Sequence, residues 1–147
     1  MQGRDPTPED LKDLRYMRLV INEVLRLYPS VPMNIRTAIE DDYLPTGEFV
    51  PKGTGMVFSQ FVLSRLPEFF GPDAEKFDPE RWNEERVSSI RPFYSNPFHA
   101  GPRICLGQQM ALNEAKLVLV LLYQRFAIKP ADPSGHKISV SNPPQNC

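Results

Sequence analysis

The stretch that decides the fold is Phe98-His99-Ala100-Gly101-Pro102-Arg103-Ile104-Cys105-Leu106-Gly107. This loop contains glycine and proline, carries the only interior cysteine, and leads directly into an apolar segment predicted to be a helix. A thiol just before a helix lies near unpaired N–H groups and the positive end of the helix dipole, which favour its thiolate form. Such a thiolate can act as a nucleophile, a redox sensor or a metal ligand, and a buried cysteine can also be a small hydrophobe. The residue types alone leave these possibilities open.

Five residues of the loop form a specific pattern: Phe98, Gly101, Arg103, Cys105 and Gly107. Arg103 places a cation near the thiol, and the glycines let a flat partner approach the backbone because no Cβ intervenes. The pattern resembles the haem-binding loop of the cytochrome P450 family. The resemblance implies that these five residues bind haem b (iron protoporphyrin IX) and that the Cys105 thiolate is the axial ligand of its iron.

Composition limits the other classes of function. The chain has 147 residues and a formal net charge of −1, which predict about one domain and give no electrostatic argument for binding nucleic acid. It contains no apolar run of membrane-spanning length, and its first residues do not resemble a signal peptide. Its two cysteines, of which one is the last residue, suggest no disulfide framework, and a cytosol-facing chain fits best.

A helix is predicted at about residues 14–28. Helical signals begin at Thr7, apolar residues then recur at helical spacing with a break near Asp13, and Pro29 ends the run. Glu23 and Arg26 lie three residues apart on one face, which by itself is typical of a surface ion pair. They also resemble the Glu-x-x-Arg of the family's helix K, which implies a buried structural network completed by Arg81 of the Pro79-Glu80-Arg81-Trp82 stretch.

Residues 31–62 are predicted to form short strands and turns, with hairpins at the edge of a small sheet and a strand at 56–62. Arg36 would be an ordinary solvated residue without the resemblance. With it, Arg36 and Arg103 are expected to pair with haem propionates, since a guanidinium donates two parallel N–H bonds to a carboxylate. The resemblance also implies that Val31, Pro32 and Met33 face the substrate.

Residues 64–97 lose periodicity and resemble the ordered meander that precedes the family's cysteine loop, with one short helix expected at 73–77. Burial of its aromatic residues is expected to hold the meander in place. These residues are Phe69, Phe70, Phe77, Trp82, Phe93 and Tyr94. The last helix, helix L at about 107–126, is apolar nearly all round from 117 to 123, so it is expected to pack in a larger protein or against a partner. A final strand is predicted at 137–140.

The resemblance covers about residues 7–126 and implies a mainly α fold with small β-hairpins. It places the chain in the C-terminal part of a single cytochrome P450 haem domain. The N-terminal two thirds of that domain are expected to be absent. The missing part would include the membrane anchor and the long central helix, whose acid/alcohol pair delivers protons to bound dioxygen in the family.

The family inserts one oxygen atom of O2 into a C–H bond of a lipophilic substrate, using electrons from an NADPH-dependent reductase at the cytosolic face of the endoplasmic reticulum membrane. Residues 31–36 and 96–109 resemble fungal members that hydroxylate alkanes and fatty acids, although those members usually carry Asn where this chain has His99. Two alternatives stay open. One is a truncated, non-catalytic chain that binds haem weakly or not at all. The other is a redox-sensing thiol module without haem.

Overall fold

A computed structural model describes residues 4–87 and 93–128. Within these ranges the chain forms six α-helices, two 3-10 helices and four short strands, which is the mainly α architecture with small β-hairpins that the sequence predicts. The α-helices are α1 (Pro8–Lys12), α2 (Arg15–Leu27), α3 (Gln60–Leu63), α4 (Pro67–Phe70), α5 (Glu84–Val87) and α6 (Gln108–Arg125). The strands are β1 (Met33–Thr37), β2 (Asp42–Tyr43), β3 (Phe49–Val50) and β4 (Gly55–Ser59), and the 3-10 helices are η1 (Pro79–Trp82) and η2 (Gly101–Arg103). The predicted strand at 137–140 lies outside the described residues.

Helix α6 packs against both α1 and α2. Thr7 begins α1 with a capping box, in which the Asp10 N–H donates to Thr7 Oγ1 at 3.3 Å and the Thr7 N–H donates to Asp10 Oδ2 at 2.8 Å. The helix ends at Lys12, so the break near Asp13 is confirmed. Lys116 of α6 donates from Nζ to the Leu11 carbonyl at 2.9 Å, which satisfies an acceptor at the end of α1.

The strands form two antiparallel pairs. β1 pairs with β4, with Met33 opposite Ser59 and Thr37 opposite Gly55. β2 pairs with β3 over two residues each. Because side chains alternate across a strand, Asn34 and Arg36 share one face of β1. This face positions two of the polar side chains of the candidate site.

Two local predictions are wrong. The strand predicted at 56–62 ends at Ser59, where the Val62 N–H donates to Ser59 Oγ at 3.3 Å and helix α3 begins. A serine that caps a helix thus overrides the β-propensity of the apolar residues that follow it. The short helix expected at 73–77 is absent; the segment is made of turns, and α4 and η1 lie on either side of it.

The aromatic residues of the meander divide into two groups. Phe70 is buried, and Phe69 stacks on Tyr94 with ring centroids 3.9 Å apart. Phe77 and Phe93 are mostly exposed, so the prediction that burial holds them in place is wrong. The segment is held instead by polar contacts to α2, which are described below.

Helix α6 leaves much of its apolar surface uncovered in this chain. Lys116 and Val120 are buried, whereas Val118, Leu122 and Tyr123 are exposed. No helix in the two described ranges is long and apolar enough to cross a membrane.

Candidate functional site

The loop around Cys105 is closed by its own backbone. The Cys105 N–H donates to the Phe98 carbonyl at 2.9 Å, and the Ile104 N–H donates to the Gly101 carbonyl at 3.1 Å. Gly101 has a φ of +70°, a conformation that glycine adopts without steric cost. The loop therefore keeps a defined shape without side-chain bonds to Cys105.

The Cys105 thiol is free and exposed. It lies just before α6, whose N-cap is Gly107 and whose Gln108 N–H donates to the Cys105 carbonyl at 3.3 Å. A Cβ built on Gly107 would lie 3.8 Å from Cys105 Sγ, in ordinary van der Waals contact with the sulfur. Leu106 is fully exposed and Ile104 is about half exposed. The thiol thus lies on an apolar surface beside a helix N-terminus.

Two guanidinium groups are candidates for binding an anion near this surface. Arg103 lies in η2, and Arg36 lies on β1, where its Nη1 donates to the Ile35 carbonyl at 2.9 Å. Both side chains are exposed. Neither forms an ion pair with an acidic side chain within residues 4–87 and 93–128.

A side-chain hydrogen bond joins the cysteine loop to β1. His99 Nε2 bonds Asn34 Oδ1, and Asn34 is buried. His99 itself has a φ of +63°, an uncommon conformation for a residue other than glycine. The bond places the loop beside the strand face that carries Arg36.

A cavity of about 380 Å³ lies between the loop, α2 and η1. Its lining includes Asn22 of α2, Trp82 of η1, and Phe98, His99, Ile104 and Gln108 of the loop and α6. Residues of the cysteine loop, α2, η1 and α6 therefore line one shared cavity.

Glu23 and Arg26 form a fully buried ion pair. Arg26 Nε donates to Glu23 Oε2 at 2.8 Å, and Arg26 Nη2 donates to Glu23 Oε1 at 2.7 Å. Both side chains are 0% exposed. A bidentate pair of this kind fixes the relative orientation of the two groups.

The rest of the Arg26 guanidinium binds backbone carbonyls of distant segments. Its Nη1 donates to Ser64 O at 2.5 Å and to Ala74 O at 2.6 Å, and its Nη2 donates to Lys76 O at 3.1 Å. One side chain of α2 therefore anchors both the end of α3 and the turns of the meander.

Glu23 accepts two further hydrogen bonds from the meander. The Asp78 N–H donates to Oε1 at 2.9 Å, and Trp82 Nε1 donates to Oε2 at 2.9 Å. Burial is the largest single influence on the Glu23 pKa and raises it. The bonds from Arg26, Asp78 and Trp82 together outweigh burial, so the pKa lies below the ordinary value of 4.5.

Arg81 joins this cluster from its edge. Its Nε lies 3.6 Å from Glu23 Oε1, too far for a hydrogen bond. Its terminal nitrogens donate to Phe70 O at 2.7 Å and to Asp73 O at 3.1 Å, and Arg81 Nη2 lies 3.3 Å from Asp73 Oδ2. Arg81 is 4% exposed, and its Nε has no hydrogen-bond partner among the residues that the structure describes. The structure brings the three predicted network residues together, with Arg26 as the direct partner of Glu23 and Arg81 as a neighbour.

Sequence reasoning missed several members of this network. The Trp82 indole and the Asp78 amide bind Glu23 directly, and the carbonyls of Ser64 and Ala74 bind Arg26. The position of Trp82 beside Arg81 was the only available signal. Because a backbone carbonyl can belong to any residue type, the sequence does not reveal which carbonyls bind Arg26.

Of the three residues expected to face substrate, Val31 and Pro32 lie between α2 and β1, and Met33 begins β1. Val31, Pro32 and Met33 are exposed, and the Pro32 carbonyl accepts a hydrogen bond from Ser59 Oγ at 3.2 Å. They form part of a larger exposed apolar surface that includes Ile35 and Val57.

Comparison with known proteins agrees with these residue patterns. A family model described as Cytochrome P450 matches residues 1–145. The chain is 46% identical over 138 aligned positions to cytochrome P450 52-N1 of Starmerella bombicola, covering 86% of this chain and 26% of that protein. It is 47% identical over 143 positions to cytochrome P450 monooxygenase himC of Aspergillus japonicus, covering 91% and 25%. Cytochrome P450 52A6 of Candida tropicalis is 42% identical over 149 positions, covering 96% and 27%.

The chain thus spans about a quarter of the length of these curated relatives. The match of the family model extends over almost all of its residues and includes both the cysteine loop and the buried ion pair. This chain belongs to the cytochrome P450 family.

Proposed function

We propose that this chain is the haem-thiolate-bearing part of a cytochrome P450 monooxygenase, with Cys105 as the axial ligand of haem b. The observation that carries the proposal is the free, exposed thiol of Cys105 at the N-terminus of α6, in a loop closed by its own backbone bonds. A metal held in a macrocycle needs only one or two protein ligands, and a single thiolate is a known axial ligand of haem iron.

The side chains around Cys105 fit this cofactor chemically. A porphyrin has a flat apolar face and two carboxylates. The loop offers the exposed apolar side chains of Ile104 and Leu106, and glycine on each side of the cysteine. Arg36 and Arg103 are exposed guanidiniums that can pair with the propionates. Phe98, Gly101 and Gly107 complete the set of residues that would hold haem.

When bound, haem supplies the chemistry that inserts one oxygen atom of O2 into a C–H bond, with electrons from an NADPH-dependent reductase. The chain's own residues have simpler tasks. Cys105 would hold the iron, and the buried Glu23–Arg26 pair with Arg81 keeps α2, the meander and α3 in fixed relation. Val31, Pro32 and Met33 would offer an apolar surface to the substrate.

An alkane or a fatty acid is the proposed substrate class. Residues 31–36 and 96–109 resemble fungal members that hydroxylate such chains, and the relatives described above come from fungi. The exposed apolar surface beside β1 supports a lipophilic substrate. Catalysis, the reductase and attachment to the endoplasmic reticulum membrane are proposed for the longer protein typified by these relatives.

The experiment that tests the proposal is a carbon monoxide difference spectrum of the reduced 147-residue chain after haemin addition. We expect a strongly red-shifted Soret band, which is the signature of thiolate ligation. Cys105→Ala should abolish the band, and Cys147→Ala, which removes the other cysteine, should leave it unchanged. A band that persists in Cys105→Ala contradicts the proposal. The absence of any such band in the wild-type chain would instead favour a non-catalytic chain or a redox-sensing thiol.

A further inference from the structure

His99 occupies an unusual position in the cysteine loop. Its φ of +63° lies in the left-handed region, where residues with a Cβ are uncommon. A strained residue persists when its surroundings hold it in place. The hydrogen bond from the His99 side chain to Asn34 is the side-chain contact that can do so.

The position of Asn34, the partner in this hydrogen bond, is fixed by strand pairing and burial. It lies in β1 opposite Phe58 of β4, and it is only 7% exposed. Its Oδ1 accepts, so His99 Nε2 carries the hydrogen. A buried amide oxygen without a donor is costly, so Asn34 favours the conformation in which His99 reaches it.

The bond also acts on the backbone that holds the cysteine. The Phe98 carbonyl, which accepts the Cys105 N–H at 2.9 Å, belongs to the same planar peptide unit as the His99 N–H. That N–H in turn donates to the Asn96 carbonyl at 3.0 Å. Fixing His99 therefore fixes the orientation of the carbonyl that anchors Cys105.

We infer that His99 is a positioning residue that ties the cysteine loop to β1 through Asn34 and so sets where Cys105 lies relative to Arg36. Asn34 and Arg36 share one face of β1, so the bond links the strand that carries one proposed haem contact to the loop that carries the ligand. The inference deepens the proposed function and rests on it for the identity of the cofactor.

Three substitutions of His99 and one of Asn34 separate the side-chain role from the backbone role. His99→Gln keeps a donor near the position of Nε2. His99→Leu removes the donor. His99→Gly removes the donor and also relieves the left-handed conformation, so it should stabilise the loop if only the backbone matters. Asn34→Ala removes the acceptor from the other side.

The first measurement needs no haem. Hydrogen exchange of the Cys105 amide is followed in the haem-free 147-residue chain. We expect exchange to be about fivefold faster in His99→Leu, in His99→Gly and in Asn34→Ala, which is the loss of roughly one hydrogen bond. His99→Gln should stay near the wild type, and the double variant His99→Leu/Asn34→Ala should be no faster than either single variant.

The second measurement is spectroscopic. After haemin addition, the fraction of the red-shifted Soret band should fall in His99→Leu and return in His99→Gln. If no variant binds haem but the exchange pattern holds, the positioning role of His99 stands and the proposed function fails. If the band forms while His99→Leu and His99→Gly leave both the band and the Cys105 exchange unchanged, the inference is overturned and the proposed function stands. An exchange change in His99→Leu that His99→Gln fails to restore also overturns it.

Discussion

The buried ion pair and the cysteine loop differ in how many of their side-chain groups are paired and buried within the chain. Glu23 and Arg26 are 0% exposed; Arg26 donates to carbonyls at the end of α3 and in the meander, and Glu23 accepts from the Asp78 N–H and from Trp82 of η1. Cys105, Arg103 and Leu106 are exposed, and the loop is closed mainly by backbone bonds. The buried ion pair is therefore a structural scaffold whose polar groups are paired within the chain. The cysteine loop is an exposed surface whose polar and apolar groups are available to a bound partner.

This difference shows where the chain's stability comes from. Among the residues that the structure describes, seven buried residues are polar or charged, as many as the apolar ones, which are six hydrophobic residues and Pro29. A buried charge is tolerated only when it is paired and hydrogen-bonded. The network is therefore the part of the fold that a single substitution should damage most, and the loop is the part where substitution should cost function and little stability.

The largest effect should follow Arg26→Leu. The substitution leaves the Glu23 carboxylate buried without its partner and strands the carbonyls of Ser64 and Ala74. We expect a loss of about 3–5 kcal/mol in the free energy of unfolding, measured by urea denaturation. The matched control is Arg15→Leu on an exposed position of the same helix, which should change stability by no more than about 0.5 kcal/mol. Equal losses in the two variants would contradict a structural role for the pair.

A second, smaller loss is expected for Trp82→Phe. The phenyl ring is aromatic like the indole that it replaces, but it cannot donate the hydrogen bond that Trp82 Nε1 makes to Glu23 Oε2 at 2.9 Å. A hydrogen bond to a charged group predicts a cost of about 1.5–3 kcal/mol. Circular dichroism should follow unfolding, because Trp82 is the only tryptophan in the chain. The exposed Phe77→Leu serves as the control, and a Trp82→Phe loss no greater than that of the control would remove Trp82 from the network.

Acid should weaken the same region by a smaller amount, since protonation removes one charge but keeps the side chain in place. The Glu23 pKa lies below 4.5 in the folded chain, so the folded state binds this proton less readily than the unfolded state. The resulting stability is present above about pH 4.5 and is lost as the pH falls through the folded-state value.

Urea denaturation between about pH 6 and about pH 3 measures this loss. Asp10, Glu48 and Asp73 also have lowered pKa values, Asp10 chiefly through its bond from Arg4. The Glu23 contribution is therefore taken as the difference between the wild type and Glu23→Gln. We expect this difference to shrink as the pH falls. A difference that stays constant over the whole range contradicts the assignment.

The smallest effect on stability should come from Cys105→Ala in the haem-free chain. The thiol is exposed, and the bonds that close the loop use backbone atoms that alanine retains. We expect a change within about 0.5 kcal/mol by urea denaturation. A loss comparable to that of Trp82→Phe would mean that the thiol is part of the scaffold, and the contrast between the two regions would fail.

Local sequence patterns predict α1, α2 and α6, but they do not predict the short helices α3, α4 and α5. Thr7 and Asp10 mark the start of α1, and the spacing of apolar residues predicts α2. The predicted strand extends past the true end of β4 because a short apolar run obscures the signal that Ser59 caps α3. Phe77 and Phe93 show that an aromatic residue in an irregular segment can equally lie on the surface.

The candidate site was predictable only in part. Cys105 and the spacing of Glu23 and Arg26 are visible in the sequence. The other hydrogen-bond partners of Arg26 are backbone carbonyls 38 to 50 residues away. Such contacts depend on the tertiary fold and on no particular side chain. The bond between His99 and Asn34, 65 residues apart, was invisible for the same reason.

The most direct test of the contrast between scaffold and open loop is hydrogen exchange of two amides before and after haemin addition. The Asp78 N–H, bound to Glu23, should be protected in both states, because the network needs no cofactor. The Cys105 N–H should be weakly protected in the haem-free chain and become strongly protected with haemin, and this gain should vanish in Cys105→Ala. If haemin leaves the exchange of the Cys105 amide unchanged, or if the Asp78 amide becomes protected only with haemin, the division into a buried structural scaffold and an exposed loop that binds haem is wrong.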